Sequence, residues 1–269
     1  MNNPRSAPKS TLRQKLKTFT PLKIGVVSWR AIRNPYSLPK KLVLLKRFFA
    51  DYRAYWKLSA LTPNTTFAQN TADLFPRIYD NTTDHHIDPV YFFQGCWCAK
   101  KIFENRPAHH YDVGSQVAMV GIISQFTPTT MIDIRPITLK LPGLSFVKGS
   151  ILTLPFRDGE IASLSSICVI EHIGLGRYGD PLDPFGSEKA LMEMIRVLAP
   201  GGSLYLTVPV DSENRVYFNA HRAFTREHVL KLAKPLVVVE EKYIYGSEIL
   251  EIYDATKGFG TGLYHFKKK

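Results

Sequence analysis

Glu171 and His172 stand side by side at the end of an apolar run, Ser163 to Ile170, and Asn219-Ala220-His221-Arg222 follows a second run, Ser203 to Val208. A histidine of near-neutral pKa can take a proton from a hydroxyl, and Asn or Arg can orient a hydroxyl-rich or phosphorylated molecule. His172, His221 and Glu171 are therefore the candidate catalytic residues, and Asn219 and Arg222 candidates for substrate binding. The segment GLGRYGDPLDP, residues 174–184, has the glycines and prolines of a loop. Its Arg177, Tyr178 and Asp180 are candidates for an acceptor-binding lid. Each assignment has a plainer counterpart. Glu171 can cap the next segment or bind a cofactor, His221 can satisfy a loop carbonyl, and 174–184 can be a structural Ω-loop.

Such residues need elements that bring them to one edge. The periodicity predicts a helix Gln94 to Phe103, a strand ending at Val113, a helix from Gln116, and strands Met131–Ile134, Leu144–Val147 and Ser163–Ile170. A helix Ser187–Leu198 is stopped by Pro200-Gly201-Gly202, which turns the chain into strand Ser203–Val208. A helix from Thr225 and strands Leu236–Tyr245 and Gly262–Phe266 complete the order. Alternating strands and helices predict an α/β fold, a Rossmann-like, mostly parallel sheet of seven strands. Ligands of such sheets sit at the carboxyl ends of the strands. Gly114 is followed nineteen positions later by Asp133. That is the spacing of a turn that lets the backbone approach a cofactor and a carboxylate that accepts ribose hydroxyls. No G-x-G-x-x-G is present, which argues against a pyrophosphate at a helix N-terminus and so against NAD.

The text LPF, a polar turn, an apolar strand ending in EHI, then RVLAPGG resembles the second half of class I S-adenosylmethionine (SAM) methyltransferases. More closely, DPVYFFQGCWCAKKIFENRPAHHYDVGS, MIDIRP, IEHIGLGRYGDPLDPFG, VYFNAHRAFTREHVLKL and GTGLYHF are similar to the family called domain of unknown function 268, over roughly Pro89 to Phe266. The resemblance implies a SAM-type fold with SAM as cofactor. Asp112, Gly114 and Ser115 would lie at the methionine end, Asp133 on the ribose, and Ser150 with Ile151 on the adenine side. Where the wider superfamily has GxGxG this chain keeps only Gly114. Ser150 stands for an acidic residue after the third strand, and Ala162 for the aspartate at the start of the fourth. Two readings follow: a methyltransferase acting on a hydroxyl of a sugar, glycan or other small polar acceptor, or a non-catalytic module that keeps the fold.

Of 269 residues with net charge +12, residues 1–58 hold 14 Lys/Arg and one acidic residue, Asp51, a balance of +13; the rest balance at −1. A nucleic-acid enzyme would carry basic charge about its pocket, so no nucleic-acid partner is expected. The three cysteines suit a reducing, cytoplasmic setting, and Cys96-x-Cys98 without a second pair argues for no metal. No apolar stretch is long enough to span a bilayer, and the first thirty residues lack a signal core. Two domains are expected: 1–88, with a loose basic tail, an amphipathic helix and a connector, and the methyltransferase-like 89–269. On the helix within KKLVLLKRFFADYRAYWKL, Leu42, Leu45, Phe49, Tyr52 and Trp56 share a face, opposite Lys46, Arg47, Arg53 and Lys57. That pattern suits a docked lid or a peripheral anchor at the anionic inner face of the membrane.

Overall fold

The structure, a computed structural model, describes residues 38–62, 67, 70 and 73–269; the basic tail lies outside the described residues. The chain divides into two units, one ending at His86 and one starting at Ile87. In the first, α1 (Leu38–Leu61) is a helix of 24 residues. Leu45, Tyr52 and Trp56 of the predicted face are half-buried, as is Phe48, while Leu42 and Phe49 of that face are exposed, as is Tyr55. No helix among the described residues is long and apolar enough to cross a membrane.

The second unit is built on one sheet. Its elements are α2 (Pro89–Asn105), β1 (His110–Val113), α3 (Val117–Ile123), β2 (Thr129–Asp133), β3 (Leu144–Lys148), β4 (Ile161–Ile167), α4 (Gly186–Val197) and β5 (Leu198–Val210). Then come β6 (Arg215–Tyr217), β7 (His221–Ala223), α5 (Arg226–Leu232), β8 (Leu236–Tyr245), β9 (Glu248–Leu250) and β10 (Gly260–Lys268). The sheet order is β3-β2-β1-β4-β5-β10-β8-β9, with β6 and β7 forming a separate hairpin. β1, β2, β3, β4 and β5 run parallel, and β10 is antiparallel to both β5 and β8. The count is eight strands rather than seven, because the chain turns at Gly246, in the left-handed region, and β9 pairs back on the last three residues of β8.

The two β-branched and leucine-rich faces bury separate clusters. Leu164, Leu204, Leu206, Leu191 and Met194 center one, and Ile102, Val120, Ile123 and Tyr205 the other. The edges of the predicted elements moved where backbone chemistry overrode periodicity. Pro200-Gly201-Gly202 does not precede β5 but lies within it: Ile161 pairs with Leu198 and Ser163 with Ser203, so residues 199–202 bulge opposite Ala162. The fourth strand stops at Ile167 rather than Ile170. Cys168 adopts a positive φ of 53°, and Ile170–His172 turn as a 3-10 helix.

A polar seam runs through the middle of the sheet. His110, fully buried, meets Ser163 Oγ through Nδ1 at 2.8 Å and Ser165 Oγ through Nε2 at 2.9 Å. Ser165 in turn donates to Asp112 Oδ2 at 2.5 Å. Burial pushes the Asp112 carboxyl up from 3.8 to about 6, against the opposing effect of its serine hydrogen bonds. Between those two values the folded chain holds a proton that the unfolded chain has lost, so this group's contribution falls as pH rises from about 4 to 6 and is constant above. Relative to Asp112→Asn, wild type should therefore gain about 2 kcal/mol of unfolding free energy between pH 6 and pH 4. Denaturant titrations of both proteins at a series of pH values measure this; a pH-independent difference would remove the buried carboxyl as the cause.

Candidate functional site

The strand order reverses between β1 and β4, and outside their carboxyl ends lies a cleft of about 410 Å³. Position and size are those of a small-molecule site in an open α/β sheet. Its lining comes from Val113-Gly114, Ile132 to Arg135, Gly149 to Leu152, Cys168-Val169 and His172-Ile173, together with Tyr178 to Pro181 of the loop.

Gly114 leaves β1 with φ 72°, and a Cβ there would stand 3.0 Å from Val169. A Cβ on Gly149 would meet Ile132 at 2.9 Å and Pro155 at 3.2 Å. Both positions keep backbone close to the cleft. Of the residues expected to hold a cofactor, Gly114, Asp133, Ser150 and Ile151 line the cleft. Asp112 and Ser115 do not; they are buried beneath it. Asp112 accepts from Ser115 N at 3.1 Å and Ser115 Oγ at 2.6 Å, and Ser115 Oγ accepts from Ile167 N at 3.0 Å. Their oxygens are spent on shaping the turn, not on a ligand. Ser150 Oγ accepts from Leu152 N at 3.2 Å, which leaves its own proton to donate.

Asp133 ends β2 nine-tenths buried. Its Oδ1 accepts from Arg135 N at 2.8 Å and Nε at 3.3 Å, and Oδ2 accepts from Nη2 at 3.3 Å. A carboxylate has about four acceptor sites, so one hydroxyl can be taken on Oδ2 as things stand; a second requires the long Arg135 side-chain contacts to yield. Sequence reasoning passed over Arg135. The available signal was Asp-x-Arg at a strand end, since residues two apart emerge on one face.

His172 also lines the cleft. Its Nδ1 lies 2.6 Å from Ala220 O, and a carbonyl only accepts, so Nδ1 carries the ring proton and Nε2 keeps a lone pair. Arg177 Nη1, 3.3 Å from the same Nδ1, is then a packing neighbor, because both atoms are donors; it donates to Ala220 O at 3.0 Å. Burial holds His172 below its ordinary value, with the Arg177 charge adding to this and the Ala220 hydrogen bond opposing it. Glu171 Oε1 is 3.7 Å from His172 Nε2, and its Oε2 is buried with no partner. Burial pushes the Glu171 carboxyl up to about 8, so it is neutral at neutral pH. Glu171 is 1% exposed and does not line the cleft. Cys168 does, and its thiol donates to Gln94 Oε1 at 3.0 Å; burial raises it well above the ordinary thiol range.

The loop over the cleft is held by its own backbone and by the β6–β7 hairpin. Asp180 accepts from Gly174 N at 2.5 Å, Gly176 N at 3.4 Å and Tyr178 N at 3.3 Å, which holds its carboxyl low despite burial, and it also borders the cleft. Arg222, expected at the substrate, is instead 6% exposed. Its guanidinium donates to Ile173 O, Asp183 O and Pro184 O and to Ser187 Oγ at 2.5 to 3.2 Å, so its donors clamp the loop. Asn219, at φ 62°, turns the hairpin and reaches Leu175 O at 3.4 Å. His221 does not border the cleft either; it packs on Tyr217 and Phe259, ring centroids 5.0 and 5.5 Å away. Among the described residues no group of three or more His, Cys, Asp or Glu is gathered to hold a metal.

A profile of the family described as "Caenorhabditis protein of unknown function, DUF268" matches residues 158–252, the part that carries the loop and hairpin. No curated protein sequence matches. Among solved structures, a "putative sarcosine dimethylglycine methyltransferase" from Galdieria sulphuraria is similar at 14% identity and a TM-score of 0.50, over 69% of this chain and 92% of that one. The N-methyltransferase NodS from Bradyrhizobium japonicum, in complex with S-adenosylhomocysteine (SAH), is 16% identical over 67% of this chain and 88% of its own, with a TM-score of 0.47. A 1,6-didemethyltoxoflavin-N1-methyltransferase from Burkholderia thailandensis is 14% identical over 88% and 92%, also at 0.47. The fold is the Rossmann-like one of class I SAM methyltransferases.

Two outcomes follow from this geometry. A ribose held by Asp133 would mean that Asp133→Ala weakens SAH binding by about 1.5 to 3 kcal/mol, the range for a charge-assisted hydrogen bond, as read by calorimetry. Arg222→Met should lower unfolding free energy by about 3 kcal/mol or more, because it strands four acceptors, and should speed hydrogen exchange in 174–184 more than elsewhere. Uniform exchange would mean the loop is held by other contacts.

Proposed function

We propose that this chain is a SAM-dependent methyltransferase that acts on a hydroxyl of a sugar, glycan or other small polar acceptor. The observation that carries the reading is His172: an imidazole in the cleft wall, fixed in one tautomer by Ala220 O, with a free Nε2 and a lowered pKa. It is neutral at neutral pH and able to accept a proton.

The cleft fits the cofactor in chemistry. Gly114 and Gly149 keep backbone close, Asp133 has acceptor capacity for the ribose, and Ser150 retains a donor beside apolar Ile151. When bound, SAM supplies an electrophilic methyl group on sulfur. The residues of this chain then need only position the acceptor oxygen and take its proton. His172 Nε2 takes the proton. Neutral Glu171 beside it brings no charge that would hold the imidazole protonated beforehand. Tyr178 covers the cleft from the loop, with its ring 5.6 Å from that of His172, and excludes water. His221 is assigned to the hairpin's packing rather than to the chemistry.

The alternative, a non-catalytic module, is favored by one observation: the Asp133 oxygens already accept from Arg135. Release of SAH from SAM in the presence of a panel of sugars and sugar phosphates separates the readings. On a responsive acceptor, His172→Ala should lower turnover by about 100- to 10,000-fold with SAH affinity unchanged. Wild-type turnover should fall on the acid side of pH 6.5 as the imidazole takes a proton. A His172→Ala enzyme of full activity would assign catalysis to positioning alone.

The basic N-terminal segment supports a second part of the proposal, that the enzyme works at an anionic cytoplasmic membrane surface. Leu42, Val43, Phe49, Tyr55 and Leu58 of α1 are exposed alongside Lys46, Arg47, Arg53 and Lys57. Attraction of about 1 kcal/mol per basic residue is enough to concentrate the chain there. The chain should sediment with anionic vesicles at low salt, not with neutral ones, and substituting those four basic residues by Gln should weaken this. Equal, salt-insensitive partitioning would refute it.

A further inference from the structure

Arg135 and Arg177 come from different segments and converge on one ring. The Arg135 guanidinium carbon is 4.9 Å from the Tyr178 centroid and that of Arg177 is 5.1 Å from it. The two charges therefore lie no more than about 10 Å apart. Tyr178 and Arg135 border the cleft, and Arg177 stands exposed beside them. Neither guanidinium is saturated. Arg177 has one protein acceptor, Ala220 O, and among the described residues no carboxylate within ion-pair distance. Arg135 holds Asp133 through side-chain contacts of 3.3 Å, long for a charge-assisted bond, and 61% of its side chain is exposed. Two carboxylates share the region. Asp133 is the partner just named, and Asp180 turns its oxygens into the loop, where three backbone N–H groups hold them. Apart from the one open site on Asp133 Oδ2, the unused hydrogen-bonding capacity of these charged groups thus consists of donors on cations.

SAM alone does not account for such a pair. Its ribose calls for acceptors, which Asp133 provides, it carries no phosphate, and its single carboxylate needs no more than one of the two guanidiniums. We propose that Arg135 and Arg177, braced on Tyr178, form a phosphate-binding clamp at the mouth of the cleft, so that the acceptor is a phosphorylated small molecule, such as a sugar phosphate. A planar fork of N–H donors matches a phosphate's oxygens, and a phosphate's nearly double charge suits two guanidiniums better than a carboxylate's single one. The clamp also links recognition to cofactor binding. An anion that draws Arg135 off Asp133 frees the acceptor sites that a ribose needs. In naming the ligand as the acceptor, this inference rests on the methyl-transfer reading above; the clamp itself does not.

The test uses the full chain with inorganic phosphate as the probe and acetate as its control, titrated by calorimetry with and without saturating SAH. Phosphate should bind more tightly than acetate, and binding should be at least as tight with SAH present. Arg135→Gln and Arg177→Gln should each weaken phosphate binding about tenfold or more. Arg177→Gln should leave SAH affinity and the melting temperature unchanged, since that side chain is exposed and makes one hydrogen bond to the fold. Glucose 6-phosphate should then bind with an affinity that depends on both arginines, whereas glucose should not. Phosphate no tighter than acetate, or equally tight in both variants, would overturn the clamp. So would competition between phosphate and SAH with loss of both in Arg177→Gln, which would make the arginine a contact for the cofactor's own carboxylate. Loss of SAH binding alone, with phosphate binding intact, would refute the methyltransferase reading and leave the clamp standing.

Discussion

The Asp112 carboxylate is the interaction on which the cleft depends. It sits where the strand order reverses and accepts from Ser115 twice and from Ser165 once. Those bonds hold the Gly114 turn open and join β1 to β4 through side chains as well as through the ladder. A buried carboxylate costs free energy unless it is fully hydrogen-bonded. Here the serines offset part of that cost, and Ser165 passes the constraint on to His110. The floor of the cleft is thereby tied by side-chain as well as backbone hydrogen bonds without any ligand, which favors binding without a large ordering penalty.

The roof is built differently. Residues 174–184 make their turns with three glycines at positive φ and hold them with the Asp180 carboxylate, and Arg222 clamps both ends from β7. The same hairpin supplies Ala220 O, which fixes the His172 tautomer. Loop, hairpin and imidazole are one mechanical unit, and a change in the hairpin should be felt as a change in the base. This arrangement explains why residues as far apart in sequence as His172 and Asn219-Ala220 occur at one rim, although only the first faces the cleft.

Much of the fold was legible because strands buried on both faces read as apolar runs, and turns as Gly and Pro. Thr129–Asp133, Leu144–Lys148 and Leu236–Tyr245 lie within two residues of their predicted bounds. The short β6–β7 hairpin was not legible, since three-residue strands such as Arg215–Tyr217 are exposed and carry no periodicity. For the site, the carboxyl-end rule placed Gly114, Asp133, Ser150 and His172 at the cleft. It could not tell which polar residues face it. Arg222 and Asp112 look like ligand-binding residues in a list of letters, and their partners, Ile173 O and Ser115 among them, are set by tertiary packing alone. Arg135 failed to stand out for the opposite reason: an arginine two residues after an aspartate is ordinary until Tyr178 is found beneath it.

The proposed function requires that the cleft between Gly114 and Gly149 take an adenosyl-sulfur cofactor rather than a dinucleotide. Calorimetric titration of the full chain with SAH and, separately, with NAD distinguishes the two. One SAH should bind per chain with NAD giving no saturable heat; saturable NAD binding, or no SAH binding at millimolar concentration, would refute the methyl-transfer reading.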